Sequence, residues 1–267
     1  MNKKIIYPIR RTFYWLLAGI DRLLGRENQA VVLCFHAVDD KHWFFGNPIA
    51  QMNSYIHELS KHYKFISLTE MMDAINKKQH YMENVLAFTF DDGYKNLMSV
   101  APLFKEYGIK PTVFALSNPD KVNRKILETD QELLSETDLV MLHHMFGWEV
   151  GSHTATHEDL HQLKDKDLKV QIIDSKKNLS KIIGSDIHYF AYPKGSHTKQ
   201  IIEHVKKAGY KGAFTMDHEE IKLMGDVHSI PRVGINRTHT SKEVVHSLSP
   251  SVINLRKKLS KFIKKTW

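Results

Sequence analysis

A chain of 267 residues is long enough for one α/β domain with a full core, and its 42% hydrophobic and 25% charged residues exclude disordered and fibrous classes. The formal net charge of +8 asks for an acidic partner or surface. The single cysteine, Cys34, excludes an intramolecular disulfide framework.

In chain order, residues 1–30 form a basic, apolar, helical segment, with Lys3, Lys4, Arg10 and Arg11 around the apolar runs 5–9 and 13–20. Neither run approaches the roughly 20 residues that span a bilayer, and the arginines interrupt what would be a signal-peptide core. An interfacial helix over Thr12–Leu24, or a helix packed under the domain, fits the pattern. The expected location is cytoplasmic, or peripheral on the cytoplasmic face of a membrane.

From Val31 onward, β-rich runs alternate with helical patterns. Val31–Phe35, Val85–Phe90, Thr112–Leu116, Trp148–Gly151, His188–Ala191 and Gly212–Thr215 read as buried strands, with Ser229–Val233 a weaker seventh. Helical stretches run over Ala50–His62, Thr69–Asn76, Leu97–Tyr107, Leu163–Ile183 and Lys199–Ala208, and Gly108 and Gly209 stand in C-cap positions. Such alternation predicts a parallel sheet covered by helices. Residues 31–240 form this main domain. In the tail, 241–267, the stretch Leu255–Trp267 carries Arg256, Lys257, Lys258, Lys261, Lys264 and Lys265 around Leu255, Leu259, Phe262 and Ile263. This basic amphipathic helix either rests on an anionic membrane or docks its apolar stripe on the domain.

Polar residues collect where strands end. His36 follows the first strand, Asp91-Asp92-Gly93 the second, His153 and His157 the fourth, and Tyr192-Pro193-Lys194-Gly195 the fifth. The carboxyl edge of a parallel sheet is where active sites assemble. Two imidazoles four apart suit two ligands on one helical turn, and no glutamate follows His153 as in a zinc protease. Asp91 and Asp92 add one oxygen ligand and a spare carboxylate, leaving coordination positions open as catalysis requires. Cys34, inside an apolar run, reads as a buried structural thiol. Trp43, Phe44 and Phe45 either line a sugar groove or pack on a helix, and Tyr94 packs at the edge of the site.

Thr89-Phe90-Asp91-Asp92-Gly93 with His153-Thr154-Ala155-Thr156-His157 resembles the first two motifs of the NodB-homology polysaccharide deacetylases. Phe190-Ala191-Tyr192-Pro193-Lys194-Gly195 resembles the third motif, in the form found in deacetylases of biofilm poly-N-acetylglucosamine. Leu33-Cys34-Phe35-His36-Ala37-Val38 is similar to the opening strand of that branch. The resemblance implies a distorted (β/α)7 TIM-like barrel over residues 31–240. It also implies a hydrolase that removes N-acetyl, or O-acetyl, groups from a hexosamine-containing polysaccharide. Asp92, His153 and His157 would hold one divalent metal ion, zinc as a rule, with cobalt or nickel as alternatives. Asp91 would be the general base, the backbone N–H of Lys194 would face the oxyanion, and Tyr192, Pro193 and Tyr94 would border the substrate.

Two departures stand out. Ala191 occupies the position where many relatives have an arginine, and Arg232, in Ile230-Pro231-Arg232-Val233, is the expected replacement that orients the base. The family's late Leu-x-His histidine has no clear counterpart, so His36 is the candidate general acid, with His228 and His239 open by position. The expected partner is an acetylated glycan and no nucleic acid, with peripheral contact to an anionic membrane through the basic termini. The alternatives are deacetylation or deformylation of a lipid-linked sugar at the membrane surface, and a non-catalytic carbohydrate-binding relative.

Overall fold

Short β-branched and aromatic runs, each followed by a turn and an amphipathic helix, assemble into parallel βα units in the computed structural model, which describes residues 3–27, 30–39, 43–81, 83–222 and 224–265. The first half contains α1 (Lys3–Leu23), β1 (Ala30–Phe35), β2 (Ala37–Val38), β3 (Gly46–Asn47), α2 (Ile49–Leu59), β4 (Lys64–Phe65), α3 (Leu68–Asn76), β5 (Val85–Phe90), α4 (Ala101–Glu106) and β6 (Thr112–Ala115). There follow α5 (Arg124–Leu127), α6 (Glu136–Phe146), β7 (Glu149–Ser152), α7 (Asp165–Lys169), α8 (Ser175–Ile183), β8 (Tyr189–Ala191) and α9 (Lys199–Lys207). The chain ends with β9 (Gly212–Phe214), β10 (Val233–Gly234), α10 (Ser241–Ser247) and α11 (Pro250–Lys265).

Among the described residues, parallel pairing orders the strands β10–β1–β5–β6–β7–β8–β9, and β4 adds to the start of β5. The segment 230–234 brings the two edges of this curled sheet together. Ile230 bridges Phe214 of β9, and three residues later Val233 and Gly234 pair with Leu33 and Cys34 of β1. The result is a distorted (β/α)7 barrel.

The two-residue period of the strands sorts their side chains. Val31, Leu33, Phe35, Leu86, Phe88 and Phe90 face the helices, where Trp148 packs on Phe90 and Phe104 with ring centroids 5.2 and 5.5 Å apart. Val32, Ala87, Phe114, Ala191 and Phe214 meet on the inner face with Leu68, Met71, Met72 and Ile75 of α3. Polar Cys34, Thr89 and Asp91 share the inner parity of their strands, which is how the interior comes to hold a reactive end.

Six strands lie where the sequence puts them, within two residues. The seventh is shorter than Ser229–Val233, because Pro231 has no N–H for the ladder and only Val233–Gly234 pairs with β1. The expected Leu97–Tyr107 helix divides into a 3-10 turn, Lys95–Ser99, and α4, with Pro102 starting the latter. Leu163–Ile183 divides into α7 and α8 around a π turn, Val170–Asp174. α6 and α10 went unread, although Ser135/Asp138 and Thr240/Glu243 form complete capping boxes.

α1 starts well before Thr12, at Lys3. The tail helix docks by its first turns, with Val252 and Ile253 buried, while Leu259 is 50% exposed. The side chains of Lys261, Phe262, Ile263, Lys264 and Lys265, and all of Thr266 and Trp267, lie outside the described residues. Among the described residues, no helix is long and apolar enough to cross a membrane.

Gly151 tests how closely the barrel wall is packed. A Cβ there would sit 2.5 Å from the Phe114 ring and 3.1 Å from the Tyr189 carbonyl oxygen. Gly151→Ala is expected to cost about 1–3 kcal/mol by overpacking, measured as a lower Tm; an unchanged Tm would contradict the close approach.

Candidate active site

Asp91 is the first residue past β5, and its N–H donates to the Phe35 carbonyl at 2.9 Å. Its carboxylate is buried and gripped by Arg232, with Nη1 donating to Oδ1 and Nη2 to Oδ2, both at 2.7 Å. Arg232, also buried, donates further to Thr89 Oγ1 at 3.1 Å and to the Thr215 carbonyl at 3.3 Å, with Phe114 beneath its guanidinium. The Cys34 thiol donates to Asp91 Oδ2 at 3.4 Å. Burial opposes ionisation of Asp91, but the charge and hydrogen bonds of Arg232, together with the neighbouring imidazoles, outweigh it and hold the carboxyl well below the usual range.

Asp92 turns the other way. Its φ of +68° is a left-handed conformation that aspartate tolerates, followed by Gly93 at +73°. This turn aims Oδ1 at His153 Nε2, 3.4 Å away, and at His157 Nε2, 3.3 Å away. Both histidines lie on the loop after β7, a correction to the expected helical turn. Thr154 and His157 have φ of +77° and +61°, which a helix does not allow. Thr154 is β-branched, so its conformation is strained.

The loop is held from within. Gln171, on the π turn, accepts from the N–H groups of Ala155 and Thr156 at 3.0 Å and donates to Thr156 Oγ1 at 2.8 Å. Thr154 Oγ1 accepts from the His157 N–H at 2.9 Å. A π turn at a functional site is a recurring device for reaching a loop that a regular helix would miss. No local signal marked Gln171 in the sequence.

His153 Nδ1 lies 2.8 Å from the Ala191 carbonyl, which can only accept, so Nδ1 carries the proton and Nε2 presents a lone pair. Burial lowers His153 to about 3 and His157 to about 4, so both rings are neutral at pH 7. Asp92 is pushed up to about 6, by burial first and then by the charge of Asp91. Its Oδ1 has no hydrogen-bond partner among the described residues. A buried carboxylate oxygen facing two imidazole nitrogens with no donor between them needs a cation. Ligand atoms about 2.1 Å from an ion at tetrahedral angles lie about 3.4 Å apart, which is the spacing seen. Asp92, His153 and His157 therefore fit one divalent ion.

The other expected residues divide. His36 shares a second potential ligand group with Cys34 and Asp91, their ligating atoms within 4.8 Å of one another. Its ring lies against Phe45, and Trp43 packs edge-on to Tyr94, so the aromatic loop borders the site. His228 and His239 are engaged elsewhere, with the Tyr210 and Asn236 carbonyls.

Lys194 is exposed and holds a left-handed φ of +55°. Gly195 beside it, φ +68°, has no room for a side chain, since a Cβ would meet Met216 N at 2.5 Å. Tyr192, Pro193 and Tyr94 are buried, and the Tyr192 hydroxyl donates to the His228 carbonyl. The third motif thus offers the site backbone, and the Tyr192 phenol braces the loop where a substrate contact was expected. Cys34 is buried, as its apolar run predicts, and its thiol also lies beside the His36 and Asp91 side chains.

Removing the guanidinium would strand a buried carboxylate. Arg232→Ala is expected to lose about 3–5 kcal/mol of stability near neutral pH. Because the pair depresses the pKa of Asp91, its stabilisation is present above the unfolded aspartate pKa of about 3.9 and is lost as pH falls. The gap between wild type and variant in urea unfolding should therefore narrow towards acid pH; a gap that is small at neutral pH or widens in acid would contradict the pairing.

Residues 78–213, just over half of the chain, match the family profile described as polysaccharide deacetylase. The poly-beta-1,6-N-acetyl-D-glucosamine N-deacetylase of Staphylococcus aureus is 26% identical over 243 residues, covering 80% of this chain and 81% of its own. The enzyme of that name from Staphylococcus epidermidis is 29% identical over 184 residues, covering 64% and 61%. YxkH of Bacillus subtilis is 26% identical over 155 residues, 58% of this chain, and the match spans only 52% of its length. Among solved structures, the Streptococcus pyogenes deacetylase PplD in complex with acetate superposes with a TM-score of 0.71 at 19% identity, covering 83% of this chain and 98% of its own. IcaB from Ammonifex degensii gives 0.64 at 21%, covering 79% and 93%. At these identities the structural neighbours speak for the fold. With the family profile and the NodB-type motifs, the chain belongs to the polysaccharide deacetylase family, hydrolases acting on carbon–nitrogen bonds.

Proposed function

We propose that the protein is a metal-dependent N-deacetylase of a poly-N-acetylglucosamine-type glycan, converting acetamide groups to acetate and free amines. The observation that carries this reading is the convergence of Asp92 Oδ1, His153 Nε2 and His157 Nε2, beside an Asp91 that Arg232 keeps ionised. The substrate class rests on the names of the staphylococcal relatives and on the form of the third motif. An O-acetyl ester would meet the same groups.

Two imidazoles and one carboxylate suit zinc, with cobalt or nickel as alternatives. Bound there, the ion would supply Lewis acidity, acidifying a water and polarising the acetyl carbonyl. Asp91, fixed at both oxygens by Arg232, takes the proton of the attacking water. Arg232 is thus a positioning residue. The Lys194 N–H, in a peptide held by its left-handed conformation, is assigned to the oxyanion. His36 returns a proton to the leaving nitrogen.

A second reading keeps this chemistry on a lipid-linked sugar. The apolar side of α1, turned away from the domain, favours it. In either case the basic termini would rest on an anionic membrane.

Acetate release from β-1,6-linked N-acetylglucosamine oligomers tests the assignment. His36→Ala, and Asp91→Asn in the fraction that remains folded at lower stability, are each expected to lower kcat by about 10²–10⁴-fold; full activity in Asp91→Asn would overturn the mechanism. Metal affinity should also depend on pH. Asp92 is the first ligand to take a proton as pH falls, so zinc affinity should drop up to about tenfold per unit below about 6. An affinity unchanged down to about pH 4 would contradict the ligand set.

A further inference from the structure

α1 is mounted on the domain by its polar side. Arg10 donates to Glu243 Oε1 at 2.6 Å and to the Thr238 carbonyl at 3.0 Å, and Arg11 reaches Glu243 Oε2 at 3.3 Å. Two residues before the helix ends, Asp21 accepts from both the N–H and the hydroxyl of Ser251, at 2.8 and 2.7 Å. Tyr14 and Ala18 complete this inner side, and Asp21 and Glu243 are each 1% exposed.

The opposite side carries Ile9, Phe13, Leu16, Ile20 and Leu23, spaced three or four apart along one stripe of the helix. These residues are 48–88% exposed, and Trp15 on the flank is 60% exposed. An amphipathic helix of a soluble domain normally turns such a stripe inward. Here ion pairs of Arg10 and Arg11 to the buried Glu243, and the hydrogen bonds of Asp21 near the helix end, fix the rotation that turns it outward. Rotating it inward would leave Glu243 and Asp21 buried without these partners.

The exposed charges of this face of the domain select among the surfaces that could cover the stripe. Arg10 and Arg11 are turned to Glu243, but Arg22 and the following Arg26 are exposed, and the one acidic residue of α1 is the hydrogen-bonded Asp21. α11 packs beside α1, has no acidic residue in its sequence PSVINLRKKLSKFIKK, and exposes Lys258. A second copy would bring these cations against themselves. An anionic bilayer complements them and takes the apolar stripe into its interfacial zone, where tryptophan is favoured.

We propose that α1 is the membrane-docking element of this protein, lying in the plane of an anionic bilayer with Ile9, Phe13, Leu16, Ile20 and Leu23 inserted. This deepens, and rests on, the reading that the basic termini meet an anionic membrane, and it assigns insertion to a surface separate from the catalytic edge residues.

Co-sedimentation with vesicles of phosphatidylcholine containing phosphatidylglycerol, against pure phosphatidylcholine, tests it. Wild type should bind the anionic vesicles, with a blue shift in tryptophan emission that Trp15→Phe removes. Phe13→Glu and Ile20→Glu lie on the exposed side, so the fold should persist, and each should weaken binding by about tenfold or more. Acetate release from a soluble oligomer should be unchanged in both. Salt-sensitive binding that both variants retain would overturn the insertion of α1 and leave only a contact through basic residues. Absence of binding would overturn both membrane readings. A wild-type dimer that the two substitutions dissociate would assign the stripe to a second copy and overturn the proposal. Loss of acetate release in wild type would count against the deacetylase reading and not against docking.

Discussion

Arg232 and Asp91 meet inside the barrel, two nitrogens on two oxygens, with the guanidinium fully buried and the carboxylate almost so. Burying such a pair is expensive, and the two-pronged geometry, the Thr89 and Thr215 contacts and the face of Phe114 offset that cost. The partners come from opposite parts of the chain. Asp91 directly follows β5, and Arg232 immediately precedes β10, in the segment that joins the two edges of the sheet. Closing the barrel and fixing Asp91 are therefore one event. With Asp91 locked on the inner side, the left-handed turn at Asp92 sends the next carboxylate towards His153 and His157. Two adjacent aspartates thus acquire opposite shifts in ionisation, as the proposed division between base and metal ligand requires.

Much of this is legible in the residues. Strand-end placement of Asp91, Asp92 and His153 follows from hydrophobic runs that stop one or two residues earlier, and His157 lies further along the same loop as His153. Ala191, where an arginine was expected, pointed to a substitute cation, and Arg232 makes the contact. What local pattern does not carry is whatever depends on distant partners. The spacing of His153 and His157 suggested a helix, but the loop is shaped by Gln171, eighteen residues beyond His153 on a π turn, which side-chain periodicity does not encode. Tyr192 looked like a substrate contact because the motif surrounds it, yet its hydroxyl is taken by the His228 carbonyl. Cys34 is placed by parity, being two residues from the inward-facing Val32 on β1.

Strain is concentrated where the chemistry is. Asp92, Thr154, His157 and Lys194 all hold left-handed backbone conformations, and each lies in a segment tied down by buried contacts. Such conformations persist only where the surroundings determine them fully. The rigid barrel thus presents a prearranged set of ligands and donors, while α1 turns a different kind of surface away from the domain. A site for one acetylated sugar and a helix suited to a bilayer belong together if the glycan is met where it leaves, or remains attached to, a membrane.

X-ray absorption at the zinc edge of the zinc-loaded protein separates the two groups of ligating side chains directly. Binding at Asp92, His153 and His157 predicts two imidazole nitrogens and carboxylate oxygen at about 2.0–2.2 Å, with no sulfur. A zinc–sulfur distance of about 2.3 Å would place the ion at Cys34, His36 and Asp91, and would contradict the division between metal ligand and base.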